Sequence, residues 1–396
     1  MLTRAIHPIV SIFYKINIFL LVMALCLGCK DDKLPDQSND SAKEIYLDDF
    51  KENPFKWGYI NTKGDITIKA IYEDNRDFAE GLAAANYEGL WGYINKRGET
   101  IIDFQYRTAT EFSEGLAIVQ MFDRAYITID KSGTEVSKGS YDEQYPYRNG
   151  RSRIKVENKY GYVNTDGIRI DTTLYLKASN FENDKAIVQA RDGYYIIDTH
   201  LNRLTQVPYD RIYPSQSRFW KYKKAKKYGY LDAQNNFQEW QSNLDKAGQY
   251  EDGIACISKN NTNYIINESG EKKEIPYPKI RNLSHGRVAF SDKGKYGILD
   301  QYGNIITPEI YDGLYKYVDN RIGYQKGDLW GYLGMDGKEM TPPLFPLVWD
   351  YKDGLARAIT STGIGFIDTL GRQIIPPEFV EVRDFSEGLA RVQVFR

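Results

Sequence analysis

A Trp-Gly or Tyr-Gly pair, or a worn counterpart of it, recurs along this chain at a nearly constant step. It starts at Trp57, Trp91, Tyr126, Tyr160, Tyr194, Tyr228, Asn263, Tyr296, Trp330 and Ile364, and every interval is 33 to 35 residues. A period of this length means that each unit is one small supersecondary element. Such an element cannot bury a core alone and must share one with its neighbours.

Each unit has three readable parts. The first is a strand, clearest as Trp91-Gly92-Tyr93-Ile94-Asn95. The second is a turn and a further strand, such as Ile305-Ile306 or Ile374-Ile375. The third is an aromatic, two mostly polar residues and Gly-Leu-Ala, at Phe78 to Ala83, Phe112 to Ala117, Tyr351 to Ala356 and Phe385 to Ala390. The turn explains the fixed spacing. An Asn or Asp precedes a Gly by three residues, as in Asn61/Gly64, Asn95/Gly98, Asp130/Gly133 and Asp368/Gly371, which fits a type I turn closed by a positive-φ glycine. Asn235 stands in for that glycine in one unit. Leu201 breaks the rule in another, where a distorted or longer turn is expected. The strand glycine of the pair marks a bulge or the close approach of another backbone. Units beginning at Tyr126, Tyr194 and Asn263 have lost it.

The W-G-[YF]-[IVL]-[ND] string, the downstream glycine and the S-E-G-L-A element occur together and in register. On these residues the segment from about 45 to 396 resembles the WG-repeat family of bacterial proteins. The resemblance implies β-rich tandem repeats and brings no common activity and no defined site residues.

The fold expected is all-β: a tandem array of about ten three-stranded units, open and superhelical, with a closed β-propeller-like ring as the alternative. Propeller repeats usually run to about 40 residues or more with four strands per blade, which favours the open array. The chain end favours the ring, because the last Leu-Ala strand has no Trp-Gly strand after it and could pair with the first unit.

Three segments follow from the leader: 1–28, 29–44 and 45–396. Ile18 to Leu27 is an apolar run behind Arg4 and Lys15. At about ten residues it is too short for a bilayer span and right for a signal peptide. It ends in Leu27-Gly28-Cys29, which resembles a bacterial lipobox and implies lipidation of Cys29, although Cys26 stands where leucine is usual. A plain signal peptide is the alternative. Lys30, Asp31 and Asp32 resemble the surface-export signal of Bacteroidetes lipoproteins. Residues 30 to about 43 read as a flexible tether reaching roughly 20 Å. The expected location is the outer membrane, held by lipid and exposed at the cell surface, with a periplasm-facing placement as the alternative.

Catalytic chemistry is sparse. His200 and His285 are the only histidines of the body, and neither has a partner at metal-ligand spacing. No phosphate-binding or dinucleotide fingerprint and no nucleophile elbow occurs. Glu80, Glu114 and Glu387 recur at one repeat position, whereas a glycosidase pair would occupy one place, so they read as turn residues. Cys256 reads as a small buried hydrophobe. The lysine-rich Lys221 to Lys227 reads as a solvated hairpin, with a phosphate or anionic-lipid patch as the sharper alternative. A net charge of −2 gives no basic surplus for nucleic acid. The function expected is a non-catalytic binding module for a protein or glycan, with no metal and no cofactor. An envelope scaffold is the alternative and a glycoside hydrolase a distant third. No ligand-binding residue can be named from the sequence.

Overall fold

The computed structural model describes residues 53–395 apart from 124, 172 and 173. Cys29, Lys30, Asp31 and Asp32 lie outside the described residues, as do the leader and tether segments. Every regular element described is a β-strand, and the strands form ten small antiparallel sheets. Blade 1 pairs Asp74–Asn75, Leu82–Tyr87, Leu90–Asn95 and Thr100–Tyr106 in that order. Blades 2 to 9 repeat the meander, their first strands beginning at Thr108, Glu143, Lys177, Arg211, Lys246, Lys279, Gly313 and Val348. The expected three strands per unit are corrected to four in all but blades 3 and 4. The additional strand is often only two residues long, too short to show a period.

Blade 10 joins the two ends of the described chain. Glu381–Ser386 and Leu389–Phe395 supply two strands, and Phe55–Asn61 and Ile66–Tyr72 supply the other two. Residue pairing runs without a break from Phe55 opposite Phe395 to Asn61 opposite Leu389. The sheets therefore close into a ten-bladed propeller, and the expectation of an open superhelical array is corrected. The physical reason is that an open array leaves both of these strands with an unpaired edge, and closure satisfies both at once. First strands of successive blades pack on one another, as Lys279–Ser284 does on Gly313–Val318. They form the inner edge of the ring. The fourth strands, such as Thr100–Tyr106 with its largely exposed outer residues, form the outer wall.

The motif glycine serves the sheet it belongs to. Trp91 pairs with Tyr106 and Tyr93 with Ile102, so Asp103, Phe104 and Gln105 bulge against Gly92. A Cβ on Gly92 would lie 2.6 Å from the Ile102 carbonyl oxygen and 2.9 Å from the Asp103 carbonyl carbon. Gly58 and Gly331 are equally closed in by backbone. Where Tyr264 replaces the glycine, the fourth strand runs straight, with Asn263 to Ile266 pairing residue by residue with Ile275 to Lys272. At Tyr195, by contrast, the glycine is lost and the bulge stays, since Tyr194 still pairs with Tyr209 and Ile197 with Arg203.

The tyrosine after the glycine joins one blade to the next. Tyr59 sits 4.9 Å from Phe78, Tyr93 4.8 Å from Phe112, Tyr162 4.8 Å from Phe181 and Tyr332 4.8 Å from Tyr351, centroid to centroid. Each second ring precedes the Gly-Leu-Ala element or its equivalent in the following blade. The phenols also donate forward, Tyr59 to the Arg76 carbonyl at 2.6 Å, Tyr93 to Thr110 at 2.8 Å and Tyr162 to Ser179 at 2.8 Å. All of these tyrosines are buried, so a hydroxyl left unpaired there would be costly.

The turns follow the expected chemistry with two corrections. Asn95 Oδ1 accepts from the N–H groups of Arg97 and Glu99, and Gly98 takes φ 78°. At Leu201 the turn is neither distorted nor longer. Leu201 itself adopts φ 66°, and its N–H donates to the Asp198 carbonyl at 2.9 Å, as a glycine would. The irregular turn lies at Asn235 instead. Asn236 and Phe237 take the positive φ, and the Phe237 N–H returns to the Asp232 carbonyl. Burial of the Phe237 ring holds that geometry.

Two outcomes follow from these contacts. The double variant F55C/F395C forms a disulfide across the chain ends, seen as a mobility shift without reductant, and gains up to about 5 kcal/mol from the long loop it closes; two thiols that stay free would return the fold to an open array. Gly92→Ala loses about 1–3 kcal/mol in urea unfolding because backbone, not a mobile side chain, must give way. An unchanged midpoint would sink the account of the glycine.

Candidate binding face

An antiparallel meander puts its first and third connections at one end and its second at the other. The Gly-Leu-Ala loops and the Asn-x-x-Gly turns therefore share one end of the ring. The repeated acids are there, and they are engaged. Glu387 accepts from the Gly81 N–H at 3.1 Å, Glu80 from Gly115 at 3.0 Å, and Glu114 from Asn149 and Gly150 at 2.6 and 2.8 Å. Lys131 pairs with Glu80 and Lys96 with Glu387, both at 3.0 Å. Each carboxylate thus ties its loop to the next blade. Burial alone would raise the carboxyls of Glu80 and Glu387. The lysine and the backbone N–H groups outweigh it and hold both below the ordinary carboxylate range. Sequence reasoning treated these acids as turn residues and missed their partner, which lies one repeat away.

At the opposite end, acids in the crossovers hold the hairpins between second and third strands. Asp142 accepts from the Glu157 N–H at 2.7 Å, Asp210 from Ala225 at 2.8 Å and Asp312 from Gly327 at 2.8 Å. Immediately after each crossover comes the first residue of the inner-edge strand. This position changes character round the ring. In blades 1, 3 and 10 it is Asp74, Glu143 and Glu381, and these acids are neutralised by Arg76, Lys155 and Arg383. In blades 4 to 7 it is Lys177, Arg211, Lys246 and Lys279, all exposed.

The remaining sequence candidates are placed as follows. Cys256 is buried, as expected, and burial pushes its thiol up. His200 lies in a third-to-fourth turn and His285 in a first-to-second loop, each with its backbone N–H held by an aspartate. Among the described residues no group of three or more His, Cys, Asp or Glu could hold a metal. Lys221 to Lys227 does form a hairpin between Phe219–Lys224 and Lys227–Asp232. Lys221 is not solvated like the rest. Its ammonium lies over the Tyr213 ring at 4.2 Å, and burial together with Arg211 pushes it below the usual lysine range. A cavity of about 1040 Å³ opens where blades 3 and 4 lack a fourth strand and is lined by Arg169, Asp171, Arg191, Asp192, His200 and Arg203.

The WG containing repeat model matches residues 57–91, 91–121, 128–160, 296–330, 330–359 and 364–394. The chain belongs to the WG-repeat family. The matched copies leave out 161–295, the stretch that holds all four inner-edge cations. No curated protein matches the chain. Among solved structures it is similar to BamB from Moraxella catarrhalis at 12% identity and TM-score 0.33, covering 67% of this chain and 97% of that one. It is also similar to a eukaryotic initiation factor at 10% identity and TM-score 0.40, covering 80% and 94%. PorZ of Porphyromonas gingivalis follows at 11% and 0.26, covering 79% and 46%. These likenesses are too distant to bear on function, and the ring rests on its own strand pairing.

The acid links predict a pH dependence. A carboxyl held low in the folded state stabilises above its ordinary range, and that contribution is lost as pH falls. The E80Q/E387Q variant should be less stable than the parent at neutral pH, and the two should converge as pH drops from about 5 to about 3. Parallel curves across that window in thermal melts would show that the links do not carry this stability.

Proposed function

We propose that this WG-repeat propeller is a non-catalytic binding protein of the cell envelope, held by lipid on Cys29, with a protein or a glycan as its ligand. The observation that carries the reading is the contrast between framework and inner edge. Motif tyrosines, glycines and loop acids recur because each makes the same contact between or within blades. The inner-edge position makes no such contact and differs from blade to blade. A closed ring with a rigid frame and a variable edge is suited to recognition. The engagement of Glu80, Glu114 and Glu387 in bonds between blades supports a non-catalytic role. Lys30, Asp31 and Asp32 support exposure on the cell surface, and the small net charge supports a partner other than nucleic acid.

A structural role in envelope assembly is the second reading. It is favoured by Ile101, Val136, Met340 and Ile374, which are exposed at one register of the outer strands. Such repeated apolar residues on the outer wall suit contact with another protein.

Metabolic labelling with a fatty acid, with Cys29→Ala as control, and protease shaving of intact cells test the placement. Label that persists without Cys29, or resistance to protease until lysis, would overturn it. A glycan array and pull-downs with the full chain test recognition. The expected result is a specific, saturable ligand. A screen that stays empty while crosslinking in cells captures one fixed protein neighbour would replace the binding reading with the scaffold.

A further inference from the structure

The four inner-edge cations deepen the binding reading and rest on it. Lys177, Arg211, Lys246 and Lys279 occupy the same structural position in four consecutive blades. Their cross-strand partners are Gln189, Lys223, Ser258 and Ser291. None of these is an acid, whereas Glu143 at the equivalent place in blade 3 faces Lys155. Among the described residues no ion pair is formed by any of the four. The acids that precede two of them are occupied. Asp210 holds the Ala225 N–H, and Asp245 holds Lys227 and the Asn260 N–H.

Blade 5 concentrates the effect. Arg211 lies over the Tyr213 ring at 5.1 Å and Lys221 over the same ring at 4.2 Å, while Lys223 stands directly across the ladder from Arg211. Like charges facing each other across a sheet destabilise it. Here the aromatic face is their local compensation. Among the described residues none of these three cations forms an ion pair, and the one adjacent acid, Asp210, is turned to the Ala225 N–H.

We propose that Lys177, Arg211, Lys246 and Lys279 form an arc that binds an acidic polysaccharide, one anionic sugar reaching each cation in turn. The spacing selects this class. Packed sheets lie about 10 Å apart, so the arc offers a charge roughly once per blade. That interval suits a chain with a carboxylate or sulfate on alternate sugars. Duplex nucleic acid carries a phosphate about every 3.4 Å on each strand, far denser than the arc. Beyond the arc the same position carries Asp74, Glu143 and Glu381, each paired with a cation, so the edge offers no continuous positive face to a wide anionic surface such as a membrane.

The test compares the full chain with K177Q/R211Q/K246Q/K279Q and with a control, K63Q/K69Q/K272Q/K273Q, that removes four exposed cations elsewhere. The probes are polygalacturonate, dextran sulfate, neutral dextran, a thymidine oligonucleotide and vesicles containing anionic lipid. The parent and the control should bind polygalacturonate or dextran sulfate and not neutral dextran. The arc variant should bind them roughly tenfold or more weakly, with a shallower dependence on salt. Thermal melts check folding, and R211Q alone should melt at or above the parent because it removes the charge opposite Lys223. Undiminished binding by the arc variant would overturn the proposal. So would a parent that prefers the oligonucleotide or the vesicles to both acidic polysaccharides, or that fails to bind either above neutral dextran. If a ligand found by the array or pull-downs binds parent and arc variant equally, the arc falls while the binding reading stands.

Discussion

The pairing of Phe55–Asn61 with Leu389–Phe395 is the contact that makes the other nine sheets into one body. Backbone donors and acceptors on a strand edge must find a partner or face water. Among the described residues the first strand is the third of a blade and the last is the second of the same blade, so each covers the other's edge. The register is continuous over the whole length of the first strand. Between these ends, Tyr–aromatic contacts near 4.8 Å carry the packing from blade to blade. Closure and blade packing reinforce each other, because a ring fixes the distance that every neighbouring pair of sheets must span.

Much of this was legible in the chain. The period, the turn chemistry and the close approach at the motif glycine were readable, because each is governed by residues within one repeat. Ring closure was not decided, because it depends on a contact between Trp57 and Gln393 that no local pattern records. The short unit argued for three strands. The fourth was hidden in pairs such as Asp74–Asn75, which carry no alternation. The turns at Leu201 and Asn235 were read in the wrong order of difficulty. Local hydrogen bonds hold leucine in a left-handed conformation at the first. At the second, the buried Phe237 ring pulls the chain into a longer turn. At Leu201 the turn's own hydrogen bonds override the residue's preference, and at Asn235 tertiary packing does.

The site was less legible than the fold for the same reason. Glu80, Glu114 and Glu387 looked like turn residues because their partners are one repeat away. The cation arc was invisible because its members are 33 to 35 residues apart and become neighbours only when the blades stack. The lysine-rich hairpin was visible and drew attention to Lys221 to Lys227. The structure divides it: Lys227 is spent on Asp245, while Lys221 lies against Tyr213 beside Arg211.

The worn repeats can be understood in these terms. Residues 161–295, left out by the matched copies, still fold into blades with the common strand order. Two have given up the motif glycine, and the one at Tyr264 its bulge as well. Blade 4 has lost the regular fourth strand as well. These losses fall on the outer half of the blade, where the wall is exposed and tolerant. The inner edge of the same blades is where Lys177, Arg211, Lys246 and Lys279 align. A drift toward neutral polar residues would leave such an edge without net charge. Instead one sign recurs in four blades running, against a local cost of up to about 1 kcal/mol where like charges face each other. The Tyr213 face offsets part of that cost, and an anionic ligand on the edge would offset the rest.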